Sequence, residues 1–285
     1  MEKVLTDEQL TFFCANGYLH LPGFIPPDEL KTLQDEVAIL IEAGKDGSAP
    51  DDTYQYTVNP KDPGRQTLYR INKLIAHHRL ESLMVLQAYP RLLKAVRQIA
   101  GEDYFCPAAH ATVIKMPGHG AAVPWHFDHV HCYHWPQFDT DIYLDHSHKH
   151  NGCLWVIPGS HLGGFHPAKE VLQSYTKGRQ IDAPNAVPLV AEPGDVNFHS
   201  NTVIHGSFDV HSDQIRRVVY VHWAHLQDVL LQDKEEDNRR IYVWAQNTLH
   251  ESIAMRKEKY PDEIPYDYKR ADPALLPESP AQYTL

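Results

Sequence analysis

Residues 104–225 consist of short runs of β-branched and aromatic residues separated by glycine, proline and asparagine. Short runs that are broken repeatedly by turn residues are typical of a β-sandwich or a β-barrel. The dipeptide Asn151-Gly152, between two of these runs, is a strong signal for a tight turn between antiparallel strands. The segment therefore predicts the β core of the molecule. Its predicted strands are 112–115, 125–129, 139–145, 153–157, 195–199 and 217–223.

The N-terminal part of the chain, residues 1–103, is predicted to combine helices with short strands. Thr6 and Gln9 form a capping box that begins a short helix, and Gly17 can end that helix in a left-handed conformation. A second helix is predicted over 27–44, where apolar residues recur with a period of 3.6. This helix should pack one apolar stripe against the sheet.

Three further segments lie outside the predicted core. Residues 45–66 are polar and rich in aspartate, glycine and proline, so they predict a long loop that can act as a lid. The segment 77–100 is predicted to be helical and divided at Pro90. Residues 226–285 form a C-terminal extension that begins as a charged helix with a solvated face and becomes rich in proline.

Composition limits the function classes. The chain has 285 residues, of which 42% are hydrophobic, enough for one domain over 1–285 with a core of good size. The net charge of -11 argues against nucleic acid or an anionic membrane as partner, so a small molecule is expected. The four cysteines show no paired spacing, and no apolar run approaches membrane-spanning length. A cytoplasmic location is expected, and a homo-oligomer is left open.

A His-x-Asp motif at His126 and Asp128 is the clearest chemical signal. Side chains alternate along a strand, so an imidazole and a carboxylate two residues apart share one face. A distant histidine, His205, would complete a facial triad that leaves open positions on Fe(II). The motif alone is weak, because the chain has 20 histidines and a second copy occurs at His211 and Asp213.

The surroundings of the first copy distinguish it. The matching pieces are Trp-His-Phe-Asp at 125–128, Asn-Gly-Cys-Leu-Trp-Val-Ile-Pro-Gly-Ser-His at 151–161, and Gly-Asp-Val-Asn-Phe-His through His-Gly-Ser at 194–207, followed by two arginines at 216–217. In this order they resemble the phytanoyl-CoA dioxygenase family of Fe(II)- and 2-oxoglutarate-dependent oxygenases, over roughly residues 5–225. The resemblance implies a mainly β fold with flanking helices, the double-stranded β-helix (jelly roll, cupin-like).

The resemblance also implies roles for individual residues. His126, Asp128 and His205 correspond to the iron ligands and catalytic centre, with Fe(II), 2-oxoglutarate and O2 as cofactor and co-substrates. Arg216 corresponds to the arginine that pairs with the distal carboxylate of 2-oxoglutarate, and Ser207 to its hydroxyl partner. Further co-substrate contacts are expected at Thr112 and Lys73. The carboxylate of Asp128 favours hydroxylation, because related halogenases lack it.

Two departures from the family pattern bear on the substrate. Asp141 stands where many relatives have tryptophan, and Asn197 stands where an apolar residue is common. A carboxylate beside aromatic residues suits an ammonium or trimethylammonium group, so we expect a small zwitterionic substrate, of the aminoalkylphosphonate type. The open alternative is that Asp141 pairs with a histidine inside the protein. The expected substrate contacts are Asp141, Tyr143, Trp155, Asn197, His199, His129 and Arg70.

Other functions remain open at this stage. The substrate can instead be a larger secondary metabolite or an acyl-CoA. A metal-binding jelly-roll module without turnover, or a hydrolase with another divalent ion, would use the same three ligands. Neither rival needs a carboxylate clamp such as Arg216 with Ser207. The histidine-rich stretch 146–150 is interpreted as a solvated loop rather than a metal site.

Overall fold

The protein is described here from a computed structural model. The structure describes residues 3–45, 47, 49, 51–59, 62–101, 105–128, 137–162, 168–225 and 235–269. The helices are α1 (Asp7–Asn16), α2 (Pro27–Gly44), α3 (Glu81–Gln87), α4 (Pro90–Ala100), α5 (Ala168–Thr176) and α6 (Glu235–Lys259). The strands are β1 (Tyr18–Leu21), β2 (Tyr54–Asn59), β3 (Asp62–Asn72), β4 (Phe105–Lys115), β5 (Val123–His126), β6 (Phe138–Tyr143), β7 (Leu154–Val156), β8 (Val187–Leu189), β9 (Val196–Ser200), β10 (His205–Ser207) and β11 (Arg216–His225).

The strands form two antiparallel sheets, as the predicted jelly roll requires. The larger sheet has the order β1-β9-β6-β11-β4-β3-β2, and the smaller has the order β5-β10-β7-β8. Several neighbours in these orders, such as β1 with β9 and β11 with β4, are distant in the chain, so these strands pair through long connections. Residues of both sheets line one cavity between them. The double-stranded β-helix is thereby confirmed.

The larger sheet is apolar on its outer face, where the helices pack. Val219, Val221 and Trp223 of β11 are buried in one cluster with apolar residues of α2, α3 and α4. Alternation then turns Arg216, Val218, Tyr220 and His222 to the inner face. In this way one strand supplies both the core and the cavity wall.

The N-terminal elements agree with their sequence signals. Thr6 and Gln9 form the reciprocal capping box of α1, and Gly17 ends that helix with a φ of 78°. A β-carbon at Gly17 would lie 2.6 Å from Nδ1 of His161, so the position needs glycine for space as well as for conformation. Pro90 begins α4 and divides it from α3, as predicted.

The predicted long loop over 45–66 is wrong for its second half. β2 and β3 pair there as an antiparallel hairpin, which forms the edge of the larger sheet. Tyr54 is buried against the core, and alternation in this hairpin brings Gln55 to the cavity. The polar composition misleads because one face of an edge hairpin can lie in solvent or a polar cavity.

The C-terminal extension contains a longer helix than the charge pattern indicates. α6 spans 25 residues, and Tyr242, Ala245 and Leu249 on it are buried. The charged stretch 233–237, which was expected to face solvent, has no described side chains. Among the described residues, no helix combines the length and the apolar character needed to cross a bilayer.

Candidate functional site

The two histidines of the predicted triad are neighbours across two paired strands. In the register of β10 and β5, His205 lies opposite His126, and their ring centroids are 4.2 Å apart. His205 is buried, whereas His126 is half-buried. Pairing of β10 with β5 therefore brings His205 next to the His-x-Asp motif, although 77 residues separate His205 from Asp128 in the chain.

Asp128 joins these histidines from the turn that follows β5. Its backbone N–H donates to the carbonyl of Asn201 at 2.9 Å, which fixes the chain just past the end of the strand. One carboxylate oxygen lies 3.6 Å from Nε2 of His126, and the other lies 3.8 Å from Nε2 of His205. The three potential ligand atoms all lie within 4.8 Å of one another. The side chains of His126 and Asp128 thus point to the same side, as predicted, although Asp128 lies beyond the end of β5.

Backbone contacts leave the histidine ring nitrogens ready for a metal. Nδ1 of His126 contacts the carbonyl of Pro124 at 2.8 Å, and Nδ1 of His205 contacts the carbonyl of Val203 at 2.9 Å. A carbonyl only accepts hydrogen bonds, so each Nδ1 carries the proton in the neutral ring. Each Nε2 then presents a lone pair toward Asp128, which is the usual way in which metal-binding histidines are oriented.

The charge states of the cluster suit a divalent cation. Burial, with the nearby His126 and His199, lowers the pKa of His205 to about 3, so the ring is neutral at pH 7. Burial opposes ionisation of Asp128, but His205, His199 and His126 together hold its pKa below its ordinary value. A neutral imidazole and an ionised carboxylate are the forms that bind metal.

The cluster opens into a cavity of about 250 Å³, here called the main cavity. Its walls come from both sheets, and its depth is set by apolar residues that include Val113 and Leu154. The polar residues that line it are Gln55, Tyr69, Arg70, His126, Asp128, Asp139, His199, His205, Ser207 and Tyr220.

Arg216 lies buried on the inner face of β11, beyond the wall of the main cavity. Its Nη2 donates to the carbonyl of Gly152 at 2.7 Å. Its Nε and Nη1 are buried with no hydrogen-bond partner among the described residues. A buried guanidinium with open donors is costly unless an anion completes it. Because Ser207 lines the main cavity, these two residues fit the carboxylate end of 2-oxoglutarate.

The two other expected co-substrate contacts lie elsewhere. Thr112 of β4 is fully buried on the outer face of the sheet, and its hydroxyl donates to the carbonyl of Val218. Alternation turns its neighbour Val113 to the cavity instead. Lys73 is exposed and lines a different cavity, with a φ of 56°. The predictions for Thr112 and Lys73 as contacts in the main cavity are wrong.

The prediction for Asp141 is also wrong. Asp141 is fully buried, and its carboxylate accepts hydrogen bonds from Nδ2 of Asn197 at 2.8 Å and from Nδ1 of His199 at 2.9 Å. The side-chain amide of Asn197 is engaged in this hydrogen bond, and Asn197 does not line the main cavity. The open alternative, a histidine partner inside the protein, is what the structure has. His199 separates Asp141 from the main cavity.

His199 itself reaches the main cavity, as expected. Its Nε2 is buried, has no hydrogen-bond partner among the described residues, and lies 3.8 Å from Asp128. Burial opposes protonation of His199, but the carboxylates of Asp141, Asp128 and Asp139 raise its pKa well above the ordinary value. The Asp141–His199 contact therefore supports the wall behind the metal ligands.

Of the remaining expected substrate contacts that belong to the described part of the chain, Arg70 alone lines the main cavity. Tyr143 is fully buried near Asp141 and does not line the main cavity. Trp155 is half-buried with Lys149 5.7 Å from its ring, and its neighbour Leu154 faces the cavity instead. The predictions for Tyr143 and Trp155 are wrong, and His129 lies outside the described residues.

Four polar residues that line the main cavity were not predicted: Gln55, Tyr69, Asp139 and Tyr220. The alternation of β11 from Arg216 would have indicated Tyr220, because the two lie four residues apart on one face. Asp139 could have been found by the same rule from Asp141 on β6. Gln55 gave no signal, because its segment was interpreted as a loop.

Two rival histidine groups do not form this kind of site. His211 of the second motif is exposed, and its Nδ1 contacts the carbonyl of Gly118. In the histidine-rich stretch, His146 is exposed and pairs with Glu192 at 2.6 Å. Neither is among the groups of described residues whose ligand atoms lie close enough to hold one metal ion.

Comparison with known proteins gives a consistent family. The model of the family described as phytanoyl-CoA dioxygenase matches residues 13–218. The chain is 28% identical over 250 residues to phytanoyl-CoA dioxygenase 1 of Oryza sativa subsp. japonica, covering 76% of this chain and 88% of the relative. It is 26% identical over 234 residues to a "probable alpha-ketoglutarate-dependent hypophosphite dioxygenase" of Stutzerimonas stutzeri, covering 76% and 78%.

A solved structure repeats the architecture. AviO1 from Streptomyces viridochromogenes Tue57 superposes with a TM-score of 0.64 at 25% sequence identity, covering 79% of this chain and 96% of that one.

Proposed function

This chain belongs to the phytanoyl-CoA dioxygenase family and is an Fe(II)- and 2-oxoglutarate-dependent dioxygenase, and from this premise we propose that it hydroxylates a C–H bond of a small polar molecule. The single observation that carries the proposal is the convergence of His126, Asp128 and His205 at the mouth of a cavity. Two imidazoles and one carboxylate on one face are the donor set of non-heme Fe(II) oxygenases.

The co-substrate has a proposed place as well. Arg216 would bind the distal carboxylate of 2-oxoglutarate through its open Nε and Nη1 donors, and Ser207 would add a hydroxyl. Burial strengthens this contact, because a charge-assisted hydrogen bond is stronger where water is excluded. A metal-binding module without turnover does not need a buried guanidinium with open donors, so Arg216 favours the oxygenase over the binding module.

The reaction follows from what these groups hold together. With Fe(II) bound, the site activates O2, and 2-oxoglutarate is oxidised to succinate and CO2 while the second oxygen atom enters the substrate C–H bond as a hydroxyl group. His126 and His205 orient the metal through their fixed tautomers. Asp128 would supply the third protein ligand, so the position that related halogenases leave to a halide would be filled, which favours hydroxylation. The apolar lining at Val113 and Leu154 limits the entry of water.

The nature of the substrate is a further part of the proposal. We expected a zwitterion with its amine at Asp141, but that carboxylate is already satisfied by Asn197 and His199. We therefore propose a small charged substrate and assign no residue to bind an amine group. The hypophosphite dioxygenase among the relatives supports a small substrate, whereas the name phytanoyl-CoA dioxygenase favours an acyl-CoA as the second candidate.

Succinate release tests this function. Protein loaded anaerobically with Fe(II) is exposed to air with 2-oxoglutarate and a panel of carboxylates, phosphonates, amines, quaternary amines, neutral isosteres and acyl-CoA thioesters. We expect a charged small molecule to stimulate succinate formation and to gain one oxygen atom by mass spectrometry. Bound metal and bound 2-oxoglutarate without any succinate would contradict an oxygenase and favour the binding module.

The organisation of the chain is part of the same proposal. We propose that 1–285 form one oxygenase domain, because α6 packs against α3 and β4 rather than apart from the sheets. A small-molecule partner fits the cavity size. A homo-oligomer and a cytoplasmic location stay predictions.

A further inference from the structure

A second cavity of about 190 Å³ opens beside the main cavity, and we call it the side chamber. The two cavities share Arg70, Asp139 and Tyr220 as wall residues. His222 of β11 and Trp244 of α6 also line the side chamber. The side chamber is therefore adjacent to the cavity that holds the metal-binding cluster, and the three shared side chains lie at the boundary between the two.

The side chamber lies at the opposite end of β11 from the proposed co-substrate clamp. Arg216 and His222 are on the same face of this strand and six residues apart, which corresponds to about 20 Å at about 3.3 Å per residue. Tyr220 lies between them and borders both cavities. If 2-oxoglutarate is held at the Arg216 end, the side chamber remains for the substrate.

Arg70 is the cation at the junction of the two cavities. Its Nε donates to Oδ1 of Asn72 at 2.6 Å, which holds the guanidinium in place. Within the described part of the chain, its two Nη groups contact no protein acceptor. The nearby carboxylate of Asp139 is engaged by Nδ1 of His222 at 2.8 Å. Arg70 is thus a positioned fork whose outer donors face the cavities.

We infer that Arg70 anchors an anionic group of the substrate, a carboxylate or a phosphonate, and that the rest of the substrate extends into the side chamber toward Trp244. The inference rests on the proposed function and names the substrate class for it. A planar guanidinium binds both oxyanions through two parallel hydrogen bonds, which an ammonium group cannot do. Exposed Lys73 lines the same chamber and adds positive potential there.

The assignment gives the C-terminal extension a role. The family match ends at residue 218, before Tyr220, His222 and Trp244. Three walls of the side chamber therefore lie beyond the matched segment. The chamber is where the substrate preference of this chain would differ from that of its relatives.

Anion binding to the metal-loaded protein tests the inference without turnover. The full-length protein is loaded with Zn(II), which is redox-inert, and with 2-oxoglutarate. Methylphosphonate, propionate and neutral dimethyl sulfone are then titrated in separate arms, followed by ligand-observed NMR. We expect at least one anion to bind and dimethyl sulfone not to bind. The Arg70→Gln variant should bind that anion at least about tenfold more weakly.

Matched variants separate a site from a general charge effect. Arg65 lies on the same strand, is exposed and lines neither cavity, so Arg65→Gln should bind the anion like the wild type. Arg70→Lys keeps the charge but loses the fork and should fall between wild type and Arg70→Gln. Trp244→Phe should reduce any change in tryptophan fluorescence that the anion causes.

The outcomes separate a failure of the Arg70 anchor from a failure of the proposed function. Equal anion binding by wild type and Arg70→Gln, equal weakening in Arg65→Gln, or no anion binding by the wild type would overturn the inference. In each of these cases 2-oxoglutarate binding to the same samples reports on the function separately. Failure of the wild type to bind Zn(II) and 2-oxoglutarate would instead overturn the proposed function.

Discussion

At the scale of single residues, His126 and His205 converge because each ring is held by the carbonyl two residues before it. The contacts at Pro124 and Val203 measure 2.8 and 2.9 Å and fix Nδ1 as the donor. Asp128 then completes the face from the turn beyond β5. The orientation is thus built by local backbone contacts and needs no metal to form.

Removal of one imidazole should abolish iron binding. His126→Ala or His205→Ala leaves two protein ligands, so we expect a loss of Fe(II) affinity of at least about 100-fold and no turnover. Metal titration by calorimetry, together with succinate formation, measures both effects. His211→Ala, which alters the second His-x-Asp motif, should leave both unchanged; an equal loss there would mean that the wrong motif was chosen.

The guanidinium of Arg216 should be needed for 2-oxoglutarate rather than for iron. In Arg216→Lys a point charge replaces the fork, and we expect the KM for 2-oxoglutarate to rise by about 10- to 100-fold with iron affinity unchanged. Arg217→Lys is the matched control, since Arg217 pairs with Asp145 at 2.8 Å on the other face of the strand. A larger effect at Arg217 would contradict the proposed clamp.

Residue-level sequence reasoning succeeded where a contact is local or repeats along one strand. The pairing of His126 with Asp128 follows from alternation along one strand, whereas His205 and Ser207, 77 residues or more away, were predicted from the family resemblance. Asp141 failed because its partners Asn197 and His199 lie on a different strand, paired through β6 and β9, and no local pattern reports that register. The prediction for Thr112 was wrong by one residue: successive side chains on a strand point to opposite faces, and it is the neighbour Val113 that faces the cavity.

At the scale of elements, the core strands and the first four helices are predictable because their periodicity and caps agree. The β2–β3 hairpin is not, since its polar residues satisfy a loop pattern equally well. The full length of α6 also escaped prediction, because its polar residues hide the short apolar stripe at Tyr242, Ala245 and Leu249. The β2–β3 hairpin and α6 find their apolar partners only in tertiary packing, so a local sequence pattern does not reveal them.

A buried ion pair connects α6 with α2. Both Nη groups of Arg256 donate to the carboxylate of Glu29, at 2.8 and 2.9 Å, and the guanidinium stacks 4.7 Å from the ring of Tyr89. Arg256→Met would leave the buried Glu29 carboxylate without its charge partner. We expect a loss of about 3–5 kcal/mol in the free energy of unfolding, measured by urea denaturation.

An exposed pair on the same helix is the control. Arg79 donates to Glu251 of α6 at 2.8 Å, and both side chains are largely in solvent. Arg79→Gln should change the free energy of unfolding by at most about 1 kcal/mol. If both variants lose the same stability, burial of the Arg256 pair is not what fixes α6. The double variant Arg256→Met, Glu29→Leu should recover part of the loss.

At the scale of the whole molecule, acid stability should depend on histidines that fold in the neutral form. His110 is 4% exposed, and its Nε2 donates to Oε1 of Gln87 at 2.8 Å. Nε2 of Gln87 in turn donates to Oγ of Ser252 of α6 at 2.7 Å. Burial, and then the nearby charge of His222, lowers the pKa of His110 to about 3. His110 thus connects β4 with α3 and α6 through Gln87, and its burial there disfavours the charged form of the ring.

The sign of the pH effect follows from this lowered pKa. An unfolded histidine has a pKa of about 6.5, so between about pH 6.5 and pH 3 the unfolded chain binds a proton that the folded chain does not. The stability contribution is complete above pH 6.5 and is lost as the pH falls, by up to about 1.4 kcal/mol per pH unit. Urea denaturation of metal-free protein between pH 7 and pH 4 should show a shallower slope for His110→Gln by about one proton. The exposed His211→Gln should keep the wild-type slope, and if His110→Gln keeps it too, then His110 is not buried in its neutral form.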